Sequence, residues 1–226
     1  MAYRHVPVMR REVLAYLACR PGDIVVDGTL GGAGHAREIC ERILPGGRLI
    51  GIDQDPEAIA NARSVLAPFG GSVELVQENF ANMAEVLSRL GVGGADGILL
   101  DLGLSLNQLE HSGRGFSFQR EEPLDMRMDP RTAQTAADLV GRLDENELER
   151  IFRDFGEERN ARPIARRLVA ERRRQPIRTS ADLARVVCAA GPRGKAGRRR
   201  IHPATRVFMA LRIAVNRELE RLEAFL

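Results

Sequence analysis

Four short apolar runs, separated by helical stretches, constrain the fold of this 226-residue chain more than any other feature. The runs are rich in β-branched residues, and the stretches between them repeat apolar residues at helical spacing. Repeated strand–helix units of this length favour a parallel sheet with helices on both faces. The first half of the chain is therefore predicted to be an α/β domain. Its strands are predicted over residues 23–27, 48–53, 72–77 and 96–101.

The pattern changes after about residue 105. A polar segment rich in Gly and Pro covers residues 106–135, and residues 135–188 repeat apolar side chains at helical spacing. Residues 202–226 predict one long amphipathic helix. An all-helical insertion into the α/β domain is the simplest organisation. We predict a first domain made of residues 1–108 plus 202–226 and a helical insertion domain of residues 109–201.

The net charge of +3 is unevenly distributed, because residues 151–226 hold 19 basic against 8 acidic side chains. Such a surface suits a nucleic acid, although a solvated helical surface is equally charged. No apolar run approaches the roughly 20 residues of a membrane-spanning helix. The three cysteines are too far apart for a disulfide framework or a zinc site. We expect a cytoplasmic protein without a metal or a membrane partner, and the sequence leaves a homodimer open.

A glycine-rich loop follows the first predicted strand, which ends at Asp27. The loop includes Gly31 and Gly34, and such a turn lets a nucleotide-like ligand approach the backbone closely. The second predicted strand ends at Asp53, where a carboxylate is placed to accept hydrogen bonds from ribose hydroxyls. NAD and S-adenosylmethionine both fit this arrangement.

Charge separates the two cofactors. Asp27 stands at the entrance of the loop, where it repels the pyrophosphate of NAD. The ammonium and sulfonium groups of S-adenosylmethionine favour carboxylates, and Asp101 adds a third at the same edge of the sheet. We therefore predict S-adenosylmethionine, with Asp27 and Gly31 among its contacts. The alternative is that Asp27 and Asp101 only cap helices. Asn79 and Phe80 follow the third strand near the expected adenine, where Phe80 either stacks on the base or belongs to the core.

Several ordered motifs are spread over nearly the whole chain. They are Asp27-Gly-Thr-Leu-Gly-Gly-Ala-Gly-His35, Asp101-Leu-Gly-Leu-Ser105, Gln108-Leu109, Arg114-Gly-Phe-Ser-Phe118, Pro123-Leu-Asp-Met-Arg-Met-Asp129, Gly156-Glu-Glu-Arg159 and His202-Pro-Ala-Thr-Arg206. Together they resemble the bacterial 16S rRNA cytosine-N4 methyltransferase family. The resemblance implies a Rossmann-like class I methyltransferase fold with a helical insertion, and a cytosine in the decoding region of the small ribosomal subunit as substrate. By motif matching, the family's cofactor contacts fall on Ala33, Gly34, His35, Asp53, Phe80, Asp101 and Gln108.

Two departures from the family pattern bear on function. Leu106 and Asn107 stand where the family usually has Ser and Pro, which changes the loop beside the expected target-base pocket. Members of the family also continue past the helix that closes at Leu226 into further strands. The fourth strand would then be an exposed edge. We therefore expect either that these 226 residues are a fragment or that a partner or sister chain covers this edge. Both departures keep an alternative open, a non-catalytic RNA-binding or ribosome-assembly module.

The resemblance and the basic charge together suggest residues for RNA contact. Phe116 and Phe118 either stack on an unstacked base or pin the insertion to the sheet domain. Asp101 is the best candidate for a catalytic residue, although the motif match favours a role in cofactor binding. The candidates for phosphate contact are Arg114, Arg127, the cluster Arg172, Arg173 and Arg174, and the cluster Arg198, Arg199 and Arg200.

Overall fold

A computed structural model describes residues 8–190 and 201–226 of the chain. The chain forms two compact units. The first ends at Asn107 and takes in Glu220–Leu226, and the second is Gln108–Leu219. Residues 202–226 are predicted to belong with the sheet, whereas the structure packs all but the last seven of them within the helical unit.

The first unit is built on a parallel four-stranded sheet, as predicted. Its order is β3-β2-β1-β4, so β1 lies between β2 and β4. Parallel pairing brings the carboxyl ends of all four strands to one edge. The fold class predicted from the sequence is confirmed. The strands are β1 (Ile24–Asp27), β2 (Arg48–Asp53), β3 (Val73–Gln77) and β4 (Gly97–Leu99).

Helices cover both faces of this sheet because successive side chains of each strand point to opposite faces. Val25 packs with Ile39 in one buried cluster, whereas its neighbour Val26 packs with Ile50 and Met83 in another. Asp55 caps one helix by accepting a hydrogen bond from the Glu57 N–H at 3.0 Å. The helices up to residue 110 are α1 (Arg10–Leu17), α2 (Gly34–Ile43), α3 (Pro56–Val65), α4 (Met83–Arg89) and α5 (Leu106–Glu110).

The second unit is helical, and hydrogen-bonding side chains cap the starts of its helices. Asp144 and Glu147 form a reciprocal capping box, and Thr179 accepts a hydrogen bond from the Asp182 N–H at 3.1 Å. Leu148 and Leu211 are among its fully buried side chains. The helices are α6 (Ala136–Arg142), α7 (Glu145–Asp154), α8 (Ala161–Arg172), α9 (Ser180–Ala190) and α10 (Thr205–Asn216).

The single long helix predicted for residues 202–226 is wrong. The structure has two helices, α10 and α11 (Glu218–Phe225), because Arg217 adopts a left-handed conformation with φ of 50°. The buried Asn216 side chain accepts a hydrogen bond from the Met128 N–H and donates one to the Met126 carbonyl. These bonds fix the end of α10 within the helical unit.

Candidate functional site at the carboxyl edge of the sheet

Three aspartates meet where neighbouring strands of the first unit end. Asp27 closes β1, Asp53 closes β2, and Asp101 follows β4. Because β1 pairs with both β2 and β4, the three carboxyl groups lie at one edge, as the sequence predicts. Asp27 is buried, whereas the Asp101 side chain is 45% exposed. The edge therefore offers a buried and an accessible acidic group to one ligand.

The glycine-rich loop between β1 and α2 is fastened to this acidic edge. The Gly31 N–H donates to the Asp53 carboxylate at 2.9 Å, and the Asp101 N–H donates to the Thr29 hydroxyl oxygen at 2.6 Å. Gly31 and Ala33 have φ of 45° and 59°. Two residues of the turn thus adopt the left-handed conformation that glycine favours. This conformation brings the loop backbone close to the strand ends.

Gly28 is required for a steric reason at the start of the same loop. A Cβ atom at this position would lie 2.5 Å from Leu100 Cδ2 and 3.2 Å from Phe80 Cβ. Any larger residue displaces the packed side chains beneath the loop. The glycine therefore keeps the first turn of the loop seated on the sheet.

Burial raises the pKa of Asp27 to about 7. The Thr29 N–H opposes this shift by donating to the carboxylate at 3.1 Å, whereas the charges of Asp53 and Asp101 raise the pKa further. A buried carboxyl group beside two other acids is stabilised in its ionised form by a cation. The edge consequently favours a positively charged ligand over a phosphate.

His35 supplies an imidazole whose ring nitrogens have no hydrogen-bond partner among the described residues. It lies in the first turn of α2 and is 7% exposed, yet neither ring nitrogen makes a hydrogen bond there. Its Nε2 atom lies 3.9 Å from a carboxylate oxygen of Asp101. Buried polar groups are nearly always hydrogen-bonded, so an orphaned imidazole beside an acidic edge marks a place where a ligand can bind.

Two residues expected near the adenine have contacts of their own. Phe80 is buried in the core cluster of the sheet's second face, and its ring meets Phe225 edge to face at 5.9 Å. The Asn79 side chain accepts from the Ala81 N–H and donates to the Gln54 side chain. The core alternative for Phe80 is thus observed, and stacking on adenine stays a prediction.

Gln108 belongs to the second unit, whereas the other predicted cofactor contacts belong to the first. It is 8% exposed, and its carbonyl accepts a hydrogen bond from the Ser112 hydroxyl at 2.7 Å. Its contact with a cofactor stays a prediction. The remaining predicted contacts, Gly31, Ala33, Gly34 and His35, all lie in the loop and the first turn of α2.

Arg114 and Arg127, predicted to bind phosphate, both take part in folding the loop that carries them. Arg114 donates to the carbonyls of Arg127 and Met128 at 2.9 and 3.0 Å and lies over the Phe116 ring. Arg127 forms a two-pronged ion pair with Asp125. The structure therefore assigns both arginines internal contacts, and phosphate binding by them stays a prediction.

The two predicted base-stacking rings are packed inside the helical unit. Phe116 is 5% exposed. Phe118 stacks on His202 with ring centroids 4.2 Å apart and meets Phe208 edge to face at 5.3 Å. Their observed role is to hold the irregular segment against α10 and the residues before it.

The arginine cluster at the end of α8 divides into two kinds of residue. Arg172 donates to the carbonyls of Val140 and Leu143, each at 2.6 Å, whereas Arg173 and Arg174 are exposed. The cluster Arg198, Arg199 and Arg200 lies outside the described residues.

Thr29, whose hydroxyl oxygen accepts the Asp101 N–H, is a residue of the site that the sequence motifs do not predict. A lone threonine in a glycine-rich loop gives no signal of a partner distant in sequence.

Two other classes of site are not found in the part of the chain that the structure describes. Within residues 8–190 and 201–226, no three His, Cys, Asp or Glu side chains are grouped so as to hold a metal ion. None of the helices described there is long and apolar enough to cross a membrane.

The chain matches a known family over nearly its whole length, since the model of the MraW methylase family covers residues 2–226. The chain belongs to this family. A relative from Desulfosudis oleivorans is 57% identical over the whole chain, which covers 72% of that relative. One from Desulforapulum autotrophicum is 54% identical with the same coverage. Both are named ribosomal RNA small subunit methyltransferase H.

Among solved structures, a SAM-dependent O-methyltransferase from Thermotoga maritima aligns with 36% of this chain and 32% of its own, at 15% identity and a TM-score of 0.32.

Membership of a methylase family confirms the resemblance seen in the sequence motifs, and this membership supports S-adenosylmethionine as the cofactor. The described residues fit that molecule. Asp27, Asp53 and Asp101 suit its cationic groups and ribose, and His35 offers an unpartnered buried imidazole.

Proposed function

We propose that this methylase transfers a methyl group from S-adenosylmethionine to the N4 amine of a cytosine in the decoding region of small-subunit ribosomal RNA. The observation that carries the proposal is the meeting of Asp27, Asp53 and Asp101 at one edge of the sheet with His35, whose ring makes no hydrogen bond to the described residues. Relatives more than half identical to the chain are named for small-subunit ribosomal RNA methylation, which supports RNA as the substrate.

Each residue of the acidic edge has a distinct task in holding the cofactor. Asp53 accepts from the Gly31 and Asp55 N–H groups, one on each carboxylate oxygen, and keeps lone pairs for the ribose hydroxyls. Asp27 places a buried carboxyl group beside the glycine loop, and the cationic groups of the cofactor stabilise its ionised form. His35 offers its ring nitrogens as a donor and an acceptor. S-adenosylmethionine supplies an electrophilic methyl group carried by a sulfonium.

The transfer is an in-line displacement that the protein assists mainly by positioning. The cytosine amine would form an N–C bond to the methyl carbon as the C–S bond breaks. S-adenosylhomocysteine would leave as a neutral thioether, and the amine would release one proton to water. Asp101 is accessible at the acidic edge and is our candidate to accept a hydrogen bond from the amine. Near-attack positioning supplies roughly 7–11 kcal/mol in favourable cases, which suits a weak nucleophile of this kind.

The proposal is tested by calorimetric titration with S-adenosylmethionine, followed by transfer of a labelled methyl group to small-subunit ribosomal RNA. We expect Asp53→Ala to weaken cofactor binding about 10- to 100-fold, because losing a charged hydrogen-bond acceptor costs about 1.5–3 kcal/mol. Asp154→Ala, which removes an exposed carboxylate of α7, is the matched control and keeps wild-type affinity.

Two results count against the proposal in different ways. Failure of the intact chain to bind S-adenosylmethionine contradicts the cofactor site. Normal binding without methyl transfer to the RNA contradicts the enzymatic role and favours the non-catalytic RNA-binding or assembly module. The methylated position, mapped by digestion of the product RNA, decides whether a cytosine N4 is the acceptor.

A further inference from the structure

Helix α8 presents a row of arginines on its exposed side. Arg166 and Arg167 lie in its middle, and Arg173 and Arg174 follow its last turn, where Arg173 keeps a helical conformation. All four side chains are exposed. Each pair is seven residues from the other, which is two turns and a rise of about 10 Å, so both pairs lie on one face. We call these four residues the α8 arginine face.

The α8 arginine face has no carboxylate partner within residues 8–190 and 201–226, although its four charges share one side of a helix. Other exposed arginines of the helical unit do form ion pairs. Arg153 contacts Glu149 and Asp154, and Arg185 contacts Asp182 and Glu171. The remaining segments, residues 1–7 and 191–200, contain no Asp or Glu.

The composition of α8 explains why these charges stay uncompensated. Glu171 is the one acidic residue of the helix, and it pairs with Arg185 of α9 at 3.5 Å. The opposite side of α8 buries Ile164 and Leu168 in the core of the unit, which fixes the orientation of the helix. Four like charges are therefore held together on one surface, where they repel each other until an anion binds.

From this arrangement we infer that the α8 arginine face binds the phosphate backbone of the substrate RNA. The inference rests on the proposed function and adds a surface to it. Guanidinium groups match phosphate oxygens with paired hydrogen bonds, and phosphate contacts position a protein on RNA without reading its sequence. Arg172 is excluded from the face, although it belongs to the same run of arginines, because its guanidinium is bonded to two carbonyls.

The test is the salt dependence of RNA binding by the 226-residue chain. Fluorescence anisotropy gives the affinity for a labelled small-subunit ribosomal RNA fragment at salt concentrations from 50 to 200 mM. Each phosphate contact contributes about 0.7 to the slope of log affinity against log salt for single-stranded RNA. Replacing all four arginines by glutamine is therefore expected to lower the slope by about 3.

Two further variants test whether the effect depends on charge and on the position of that charge. Replacing the four arginines by lysine keeps the charge, so most of the slope is expected to remain. Replacing the paired arginines Arg131, Arg153 and Arg185 by glutamine removes exposed positive charge elsewhere and is expected to leave the slope close to wild type. Unchanged unfolding transitions in all three variants show that the surface changes leave the fold intact.

The outcomes distinguish this inference from the proposed function. A wild-type slope in the glutamine variant overturns the inference, even where the wild-type chain binds RNA and transfers methyl groups. RNA binding without methyl transfer overturns the proposed function. In that case the salt dependence of binding still tests whether the α8 arginine face contacts the RNA. A wild-type chain that binds no RNA at any salt concentration overturns both.

Discussion

At the scale of single residues, the pKa of Asp27 is raised to about 7, chiefly because the carboxyl group is buried. A raised pKa means that the folded state prefers the protonated form. The stability gained from Asp27 is thus fully present below the unfolded pKa near 4 and is lost as the pH rises through 7. Ionisation of Asp27 therefore destabilises the ligand-free fold increasingly as the pH rises across this window.

We therefore predict that Asp27→Asn removes this pH dependence. Between pH 4 and pH 7 the free energy of unfolding of the wild type should fall relative to that of the variant, by up to about 4 kcal/mol. Urea unfolding of both proteins at several pH values measures the difference. Parallel curves for the two proteins mean that Asp27 does not titrate in this range.

The three cysteines are predicted to react at very different rates. Burial raises the pKa of the Cys40 thiol to about 12 and also raises the pKa of Cys19, whereas Cys188 is exposed. Because the thiolate is the nucleophile, iodoacetamide at pH 8 should alkylate Cys188 first. Mass spectrometry of the labelled peptides checks the order, and Cys188→Ser should remove the fast phase. Rapid labelling of Cys40 in the folded protein contradicts the prediction.

Residue by residue, the sequence predicted those parts of the site that follow from topology. Asp27, Asp53 and Asp101 end strands of a parallel sheet, so their meeting follows from the strand pattern. Two other features depend on burial and on contacts distant in sequence: His35 lacks a hydrogen bond to the described residues, and Asp101 is bonded to Thr29. Neither has a local signature, and both required the structure.

At the scale of elements, Arg172 closes the carboxyl end of α6. Its guanidinium donates to the carbonyls of Val140 and Leu143, which lack partners within their own helix. Arg172→Ala is predicted to cost about 1.5–3 kcal/mol of unfolding free energy, since hydrogen bonds to a charged group are lost. Chemical denaturation measures the change. Arg173→Ala is the matched control, and an equal effect of both variants contradicts the capping role.

The pattern of apolar residues predicted most elements but not every boundary. Strand positions and the helices between residues 135 and 188 agree with the structure, because local periodicity reports them directly. The division between α10 and α11 was missed because the apolar stripe continues through Arg217. The left-handed conformation of that residue is stabilised by neighbouring contacts, including the ion pair of Arg212 with Glu218 at 2.7 Å.

At the scale of the whole chain, the unpaired side of β4 affects whether the protein associates with another chain. In the region that the structure describes, β4 pairs with β1 alone, and Ile98 is 46% exposed. Leu102 and Leu106, which follow the strand, are 49% and 45% exposed. An unpaired strand edge beside exposed apolar side chains favours pairing with another chain.

We therefore predict that the 226-residue chain self-associates through β4. Sedimentation velocity should show a weight-average mass that rises with protein concentration. Ile98→Lys should abolish the rise with little loss of stability, because a charge on an edge strand opposes strand pairing. Leu219→Lys, which charges a side chain that is 50% exposed elsewhere, should leave association unchanged. A wild-type mass that stays monomeric at every concentration contradicts the prediction and leaves the strand edge open to RNA or to another protein.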